Sequence, residues 1–234
     1  GSTAITVQSA GITAAPEIMA YARTIGAAFM YISASHNPIG HNGFKFGLDS
    51  GGVLDGNQSA RLIALFTQKC EAARPDTVNL LREDADPAQL RTVFESEAAH
   101  KQAALTAYKN FLREVIADSQ DTAEQARFFA SLKQQCAALA EAGKPFTLVA
   151  DFNGSARTAS VDRTFFEQLD MQLTGIAEKA GTIVHGIIPE GDNLATCAAK
   201  LEELHRSNPA QAENTLFGYM PDCDGDRGNI IYWD

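Results

Sequence analysis

Hydrophobic and polar positions along this chain switch between two rhythms, a helical one and an extended one. Ala4-Ile-Thr-Val7 has the length and β-branching of a short strand. Pro16 then opens a helical stretch to about Ile25, with proline in the first turn, where its missing N–H costs nothing. Ala27 to Ser33 is a continuous apolar run, the pattern of a strand covered on both faces. Phe44-Lys-Phe-Gly-Leu48 and Gly52-Val-Leu54 flank Asp49-Ser-Gly51 and predict a hairpin. Asn57 to about Ala73 reads as an amphipathic helix.

From Asp76 to Gly143 the chain is rich in Ala, Glu, Gln, Leu and Lys, with one proline, at Pro87. No heptad persists, so two or three packed long helices are expected rather than a coiled coil, with a domain junction between Ala107 and Asp121. Pro145-Phe-Thr-Leu-Val-Ala150 restarts as a strand and ends in Asp151-Phe-Asn-Gly154. Ser155 is placed to cap a helix to about Leu169. Gly181 to Ile188 is expected as a second strand, Asn193 to His205 as a second helix, and Thr215 to Met220 as a third strand. The βαβαβ order predicts a mainly parallel sheet with helices on its faces. In such sheets ligands gather beyond the carboxyl ends of the strands, where Asp151 and the segment after Met220 fall.

Composition narrows the classes of function. The 234 residues suffice for one large or two small domains, and 45% are hydrophobic, enough for a sizeable core. The formal charge of −10 supplies no basic excess to neutralise the phosphates of a nucleic acid or an anionic membrane, so neither partner is expected. Four scattered cysteines, with no CxxC pair, fit reduced thiols. With no leader pattern and no apolar run of spanning length, a cytoplasmic protein is expected. Gly1-Ser2, the lack of an initiator methionine and the abrupt end at Ile230-Ile-Tyr-Trp-Asp234 are expected of a piece of a longer chain.

Two short clusters carry candidate chemistry. The first is Pro221-Asp-Cys-Asp-Gly-Asp-Arg227. Asp222, Asp224 and Asp226 repel one another at neutral pH unless a cation shares them, and an all-oxygen set suits Mg²⁺, Ca²⁺ or Mn²⁺. The alternative is a solvated acidic turn, disfavoured by the apolar residues on either side. An EF-hand loop starting at Asp222 would need Gly at its sixth position and an acid at its twelfth, where Arg227 and Trp233 stand. Asp-x-Asp after a strand also resembles the nucleophile loop of haloacid-dehalogenase-type phosphatases, which place Thr or Val where this chain has Asp226-Arg227. Arg227 offers a fork suited to phosphate, or to pairing with its own aspartates.

The second cluster is Ser33-Ala-Ser-His-Asn-Pro38, followed by Asn42-Gly-Phe-Lys45. A Ser35/His36 hydrolase pair is disfavoured by geometry, because adjacent side chains on extended backbone point apart, and Gly-x-Ser-x-Gly is missing. Turn hydroxyls followed by an Asn37-Pro38 turn starter are the structural alternative. The segment resembles the active-site serine loop of the α-D-phosphohexomutases, the phosphoglucomutase and phosphomannomutase family, with Ser33 in place of its usual Thr. Asp222-Cys-Asp-Gly-Asp-Arg227 resembles that family's metal loop. Gly11-Ile-Thr-Ala-Ala-Pro16 resembles the stretch before the serine loop, with Ala15 in place of Thr, and Asp151-Phe-Asn-Gly154 resembles the start of its second domain.

The resemblance implies two three-layer α/β/α domains with mixed, mainly parallel sheets. They are the incomplete first domain (residues 3–110) and the second (111–234), without the family's sugar-selecting and phosphate-binding third and fourth domains. It implies a Mg²⁺-dependent isomerase that moves phosphate between C1 and C6 of a hexose phosphate through a hexose bisphosphate. Ser35 would be phosphorylated and would join Asp222, Asp224 and Asp226 at the metal. His36 and Lys45 would assist transfer, with Lys45 a proton shuttle if desolvation lowers its pKa, and Asn37 and Arg227 would hold phosphate. A non-catalytic phosphate- and metal-binding module is the other reading. The hexose and the oligomeric state are not encoded in these motifs.

Overall fold

The computed structural model describes residues 5–33, 35, 37–207 and 212–233. Its first part begins with α1 (Ala15–Ile25), β1 (Phe29–Ile32) and β2 (Phe44–Gly47). Pro16 lies in the first turn of α1, and Gly26 ends the helix in the left-handed region at φ 63°. β1 and β2 form an antiparallel pair in which Tyr31 faces Lys45 and Ile32 faces Phe44. The hairpin beyond β2 is present as a turn closed by Leu48 N–H to Gly52 O and one bridge between Gly47 and Val53.

Helices follow: α2 (Gly56–Ala72), α3 (Thr77–Glu83), α4 (Pro87–Glu95), α5 (Glu97–Ala117) and α6 (Thr122–Glu141). A reciprocal pair of hydrogen bonds between Asp55 and Gln58 caps α2. Neither α2, α3 nor α4 buries a residue. α5 instead packs Ala104 and Ala107 against Tyr21 of α1. Residues 110 and 111 both lie inside α5.

The second part holds β3 (Thr147–Asp151), α7 (Asp162–Glu167), β4 (Gln172–Ile176), α8 (Ala195–Ser207), β5 (Thr215–Pro221) and β6 (Gly228–Ile231). The sheet order is β4-β3-β5-β6, parallel except for β6, which returns antiparallel to β5. β3 is buried along its whole length. Its alternate residues serve two layers. Leu148 and Ala150 pack with Leu173 and Phe166 on the α7 side, and Val149 packs with Cys197 and Leu201 on the α8 side. The fold is α/β with mixed sheets, and in this part the sheet lies between helices.

Several sequence expectations are corrected. Residues 181–188 are a loop, and the strand beside β3 is β4. The apolar run misleads because Asn153 holds that loop, accepting from Val184 N–H (2.8 Å) and donating to the carbonyls of His185 and Gly186 (both 3.2 Å). Ser155 caps nothing: its hydroxyl is buried without a hydrogen-bond partner among the described residues, and a 3-10 turn over Ala156–Ala159 delays the helix to Asp162. β1 is covered on one face only, with Met30 and Ile32 56% and 57% exposed. Residues 5–7 are exposed and outside any strand. The 76–143 region carries four helices, two of them long, because Pro87 starts a separate one.

Candidate active site

The acidic cluster is the connection between β5 and β6, a turn whose own groups hold it shut. Asp222 N–H donates to Arg227 O (2.9 Å), and Gly225 N–H reaches both the carbonyl (3.1 Å) and Oδ1 (3.0 Å) of Asp222. Gly225 sits at φ 70°, which a side-chain-bearing residue would adopt only under strain. Two further backbone bonds dock the turn from outside, Ala15 N–H to Asp224 O (2.8 Å) and Ala156 N–H to Cys223 O (2.9 Å). Asp222 and Asp224 are each 1% exposed, while Asp226 is open to solvent.

The serine loop leaves β1 and meets this turn from the far end of the sequence. Ser35 Oγ lies 3.3 Å from Asp222 Oδ2, across 187 residues of chain, and 3.4 Å from Asp224 Oδ1. Ser35 has φ 53°, an uncommon conformation for a residue with a side chain. Ser33 supports it by accepting the Ser35 N–H (2.8 Å) and donating to Asp224 Oδ2 (2.8 Å). Gly43 allows the loop to close, since a Cβ there would stand 2.9 Å from Ser33 O. Tyr31 OH donates to Thr13 O (2.7 Å), tying β1 to the segment before α1.

Two cations complete the cluster. Lys45 Nζ donates to Asp224 Oδ2 (2.6 Å) and Asp226 Oδ2 (3.3 Å). Arg227 donates through Nη2 to Ser35 Oγ (2.5 Å) and through Nε to Asp222 Oδ2 (3.2 Å). Burial pulls the Lys45 pKa down, but the Asp224 hydrogen bond and the Asp224 and Asp226 charges outweigh it and hold it above the usual lysine value. A proton-shuttling Lys45 requires a lowered pKa, and this arrangement does not supply one. Burial pushes the Asp222 carboxyl up, and the neighbouring Asp224 charge adds to that. Burial acts on Asp224 in the same sense, but its bonds from Lys45 and Ser33 prevail and its pKa falls below the usual value.

The structure thus brings together Ser35, Lys45, Asp222, Asp224, Asp226 and Arg227. Asn37 lines the same cavity, of about 730 Å³, as Ser35 and Asp224. Lys45, Asp226 and Arg227 line a second one of about 680 Å³. His36 lies outside the described residues. The three aspartates each offer an oxygen within 4.8 Å of the others, a hard-oxygen set that fits Mg²⁺ or Mn²⁺. The sequence marks Ser33 only as a turn hydroxyl and a variant of the usual Thr, yet it bridges the two loops. Its spacing two residues before Ser35 is the one signal of that role.

Residues 2–73 match the family described as Phosphoglucomutase/phosphomannomutase, alpha/beta/alpha domain I. Over that segment the resemblance to the phosphohexomutases holds. That segment contains the serine loop and Lys45 but not the acidic turn. No curated protein matches the chain. Among solved structures, one from Thermus Thermophilus, whose name assigns it to the phosphomannomutases, is similar at 19% identity over 94% of this chain, with a TM-score of 0.46. The chain spans 40% of the length of that structure. No helix among the described residues is long and apolar enough to cross a membrane.

Proposed function

We propose that this chain carries the phosphoserine and metal half of a phosphohexomutase, with domain 1 ending near residue 110 inside α5 and domain 2 following to residue 234. The observation that carries the reading is the meeting of Ser35 Oγ with two buried carboxylates and the Arg227 guanidinium. Ser35 stands where a phosphoryl group could be held between cations, which is most of what phosphoryl transfer asks of a protein.

In this reading Ser35 carries the phosphoryl group, which a hydroxyl oxygen of a hexose monophosphate attacks. The new O–P bond forms as the Ser35 Oγ–P bond breaks, the proton of the sugar hydroxyl ends on the departing Ser35 Oγ, and a hexose bisphosphate and free Ser35 result. Returning the other phosphate to Ser35 completes the exchange between C1 and C6. Asp222, Asp224 and Asp226 would hold Mg²⁺, which when bound offsets the phosphoserine charge beside three carboxylates and polarises the phosphoryl group. Arg227 holds phosphate oxygens, and Lys45, kept charged by Asp224 and Asp226, stabilises the transferring group. His36 would assist transfer beside Lys45, and Asn37 would hold phosphate with Arg227. Asp222, 1% exposed and bonded to Arg227, is poorly placed as a phosphatase nucleophile.

The test is peptide mass spectrometry after incubating the chain with Mg²⁺ and a hexose bisphosphate. Phosphate on Ser35, absent from Ser35→Ala, is expected. If Ser35 stays unmodified, the mutase reading fails and a binding module remains.

A further inference from the structure

We propose that Arg157 is a positioning residue for the acidic turn, fixing where Asp222, Asp224 and Asp226 stand beside Ser35 and thereby setting the affinity of the turn for a divalent cation. The inference rests on the reading above and concerns a residue outside both motifs.

Arg157 lies under the turn. Its stem is so close to Gly225 that a Cβ on that glycine would sit 2.5 Å from Arg157 Cδ. The preceding residue supplies the Ala156 N–H bond to Cys223 O (2.9 Å), so the 3-10 segment supports the turn by backbone and side chain together. The guanidinium is fixed at its other end. Nη2 donates to Asp162 Oδ1 (2.7 Å) and Nη1 to Tyr108 OH (2.8 Å), and the group lies 5.5 Å from the Tyr108 ring centre. Tyr219, three residues before Asp222 on β5, donates to the same Asp162 oxygen (2.9 Å). Tyr108 belongs to α5, which packs on α1, and the start of α1 gives the Ala15 N–H bond to Asp224 O. Arg157 therefore closes a ring of contacts running from the turn through α5 and α1 and back to the turn.

A purely stabilising role accounts poorly for this. The Arg157 and Asp162 side chains are 15% and 3% exposed, and Arg157 Nε and Asp162 Oδ2 are buried with no hydrogen-bond partner among the described residues. A buried ion pair is often no more stable than an apolar pair of the same volume. What the pair adds is fixed geometry, through two directed bonds from a planar group.

The test is Mn²⁺ binding by the whole chain, followed by the electron paramagnetic resonance of free Mn²⁺ below the melting temperature. Arg157→Met is expected to weaken binding about tenfold, the lower end of what changes behind a metal site cost. Arg157→Lys should recover part of the loss, and Tyr108→Phe should show a smaller one. A folded Arg157→Met with wild-type affinity overturns the inference. Should that variant not fold, unchanged affinity in Tyr108→Phe overturns it instead. A wild-type chain that binds no Mn²⁺ removes both this inference and the reading beneath it, whereas wild-type binding with indifferent variants removes this inference alone.

Discussion

The two loops of the candidate site are built in opposite ways. The acidic turn is a short link between paired strands, with its backbone bonded within itself and to α1 and the 3-10 segment. The serine loop leaves a two-stranded sheet exposed on one face, and Ser35, the residue proposed to carry the phosphoryl group, sits at a positive φ. Much of its support comes from the acidic turn, through Ser33, Ser35 and Lys45. One loop is a preformed receptor, and the other takes its shape from being received. Replacements in the receptor should then damage both, and replacements in the serine loop only one.

Asp224→Asn cuts deepest, because Asp224 meets Ser33, Ser35 and Lys45 at once. Mn²⁺ affinity is expected to fall at least about 100-fold, with loss of Ser35 phosphorylation, read by titration and mass spectrometry. Lys45→Ala comes next. Transfer from phosphorylated Ser35 should slow by about 10²-fold, the scale of one electrostatic donor, with Mn²⁺ affinity nearly kept. A full transfer rate in rapid-quench assays would remove Lys45 from the machinery.

Asp222→Asn should separate stability from function. A carboxyl whose pKa rises on folding stabilises the fold more as pH falls through that raised value, and penalises it once the pH exceeds it. In EDTA at neutral pH, calorimetry should find Asp222→Asn melting about 2–4 °C higher, equivalent to roughly 1 kcal/mol at this chain length, while the same variant loses Mn²⁺. The wild-type chain in EDTA should narrow that gap as the pH is lowered. The smallest effect is expected from Ser33→Ala, about 1 kcal/mol for lost hydrogen bonds, with a loss of Mn²⁺ affinity far smaller than that of Asp224→Asn, since Ser33 donates to Asp224, and Ser33→Thr close to wild type.

The residues that meet at the candidate site are more legible in the sequence than the architecture around them. Ser35, Lys45, the aspartates and Arg227 stand in short motifs, the acidic one marked by its alternating aspartates and the serine one by its resemblance to a family motif. β3 and β5 are visible as apolar runs after Pro145 and before Asp222. What sequence reasoning misses depends on distant partners. The 181–188 run looks like a strand until Asn153 occupies its backbone groups, and β4 hides in Gln172-Leu-Thr-Gly-Ile176, a polar-tinged stretch without a clean alternation. Arg157 could not be singled out, because its significance lies in Gly225, Tyr108 and Asp162, only the last of which is near it in sequence.

The contact between Ser35 and Asp222 spans 187 positions. A ribosome adding about 5–20 residues per second needs roughly 10–40 s to bridge that interval. Through that time the emerging serine has neither its carboxylates nor its arginine, so on the proposed reading it cannot yet hold a phosphoryl group. The surroundings of Ser35 form late, when the strand-turn-strand segment from β5 to β6 delivers both. On that reading the order of translation acts as a timer on the assembly of the candidate site.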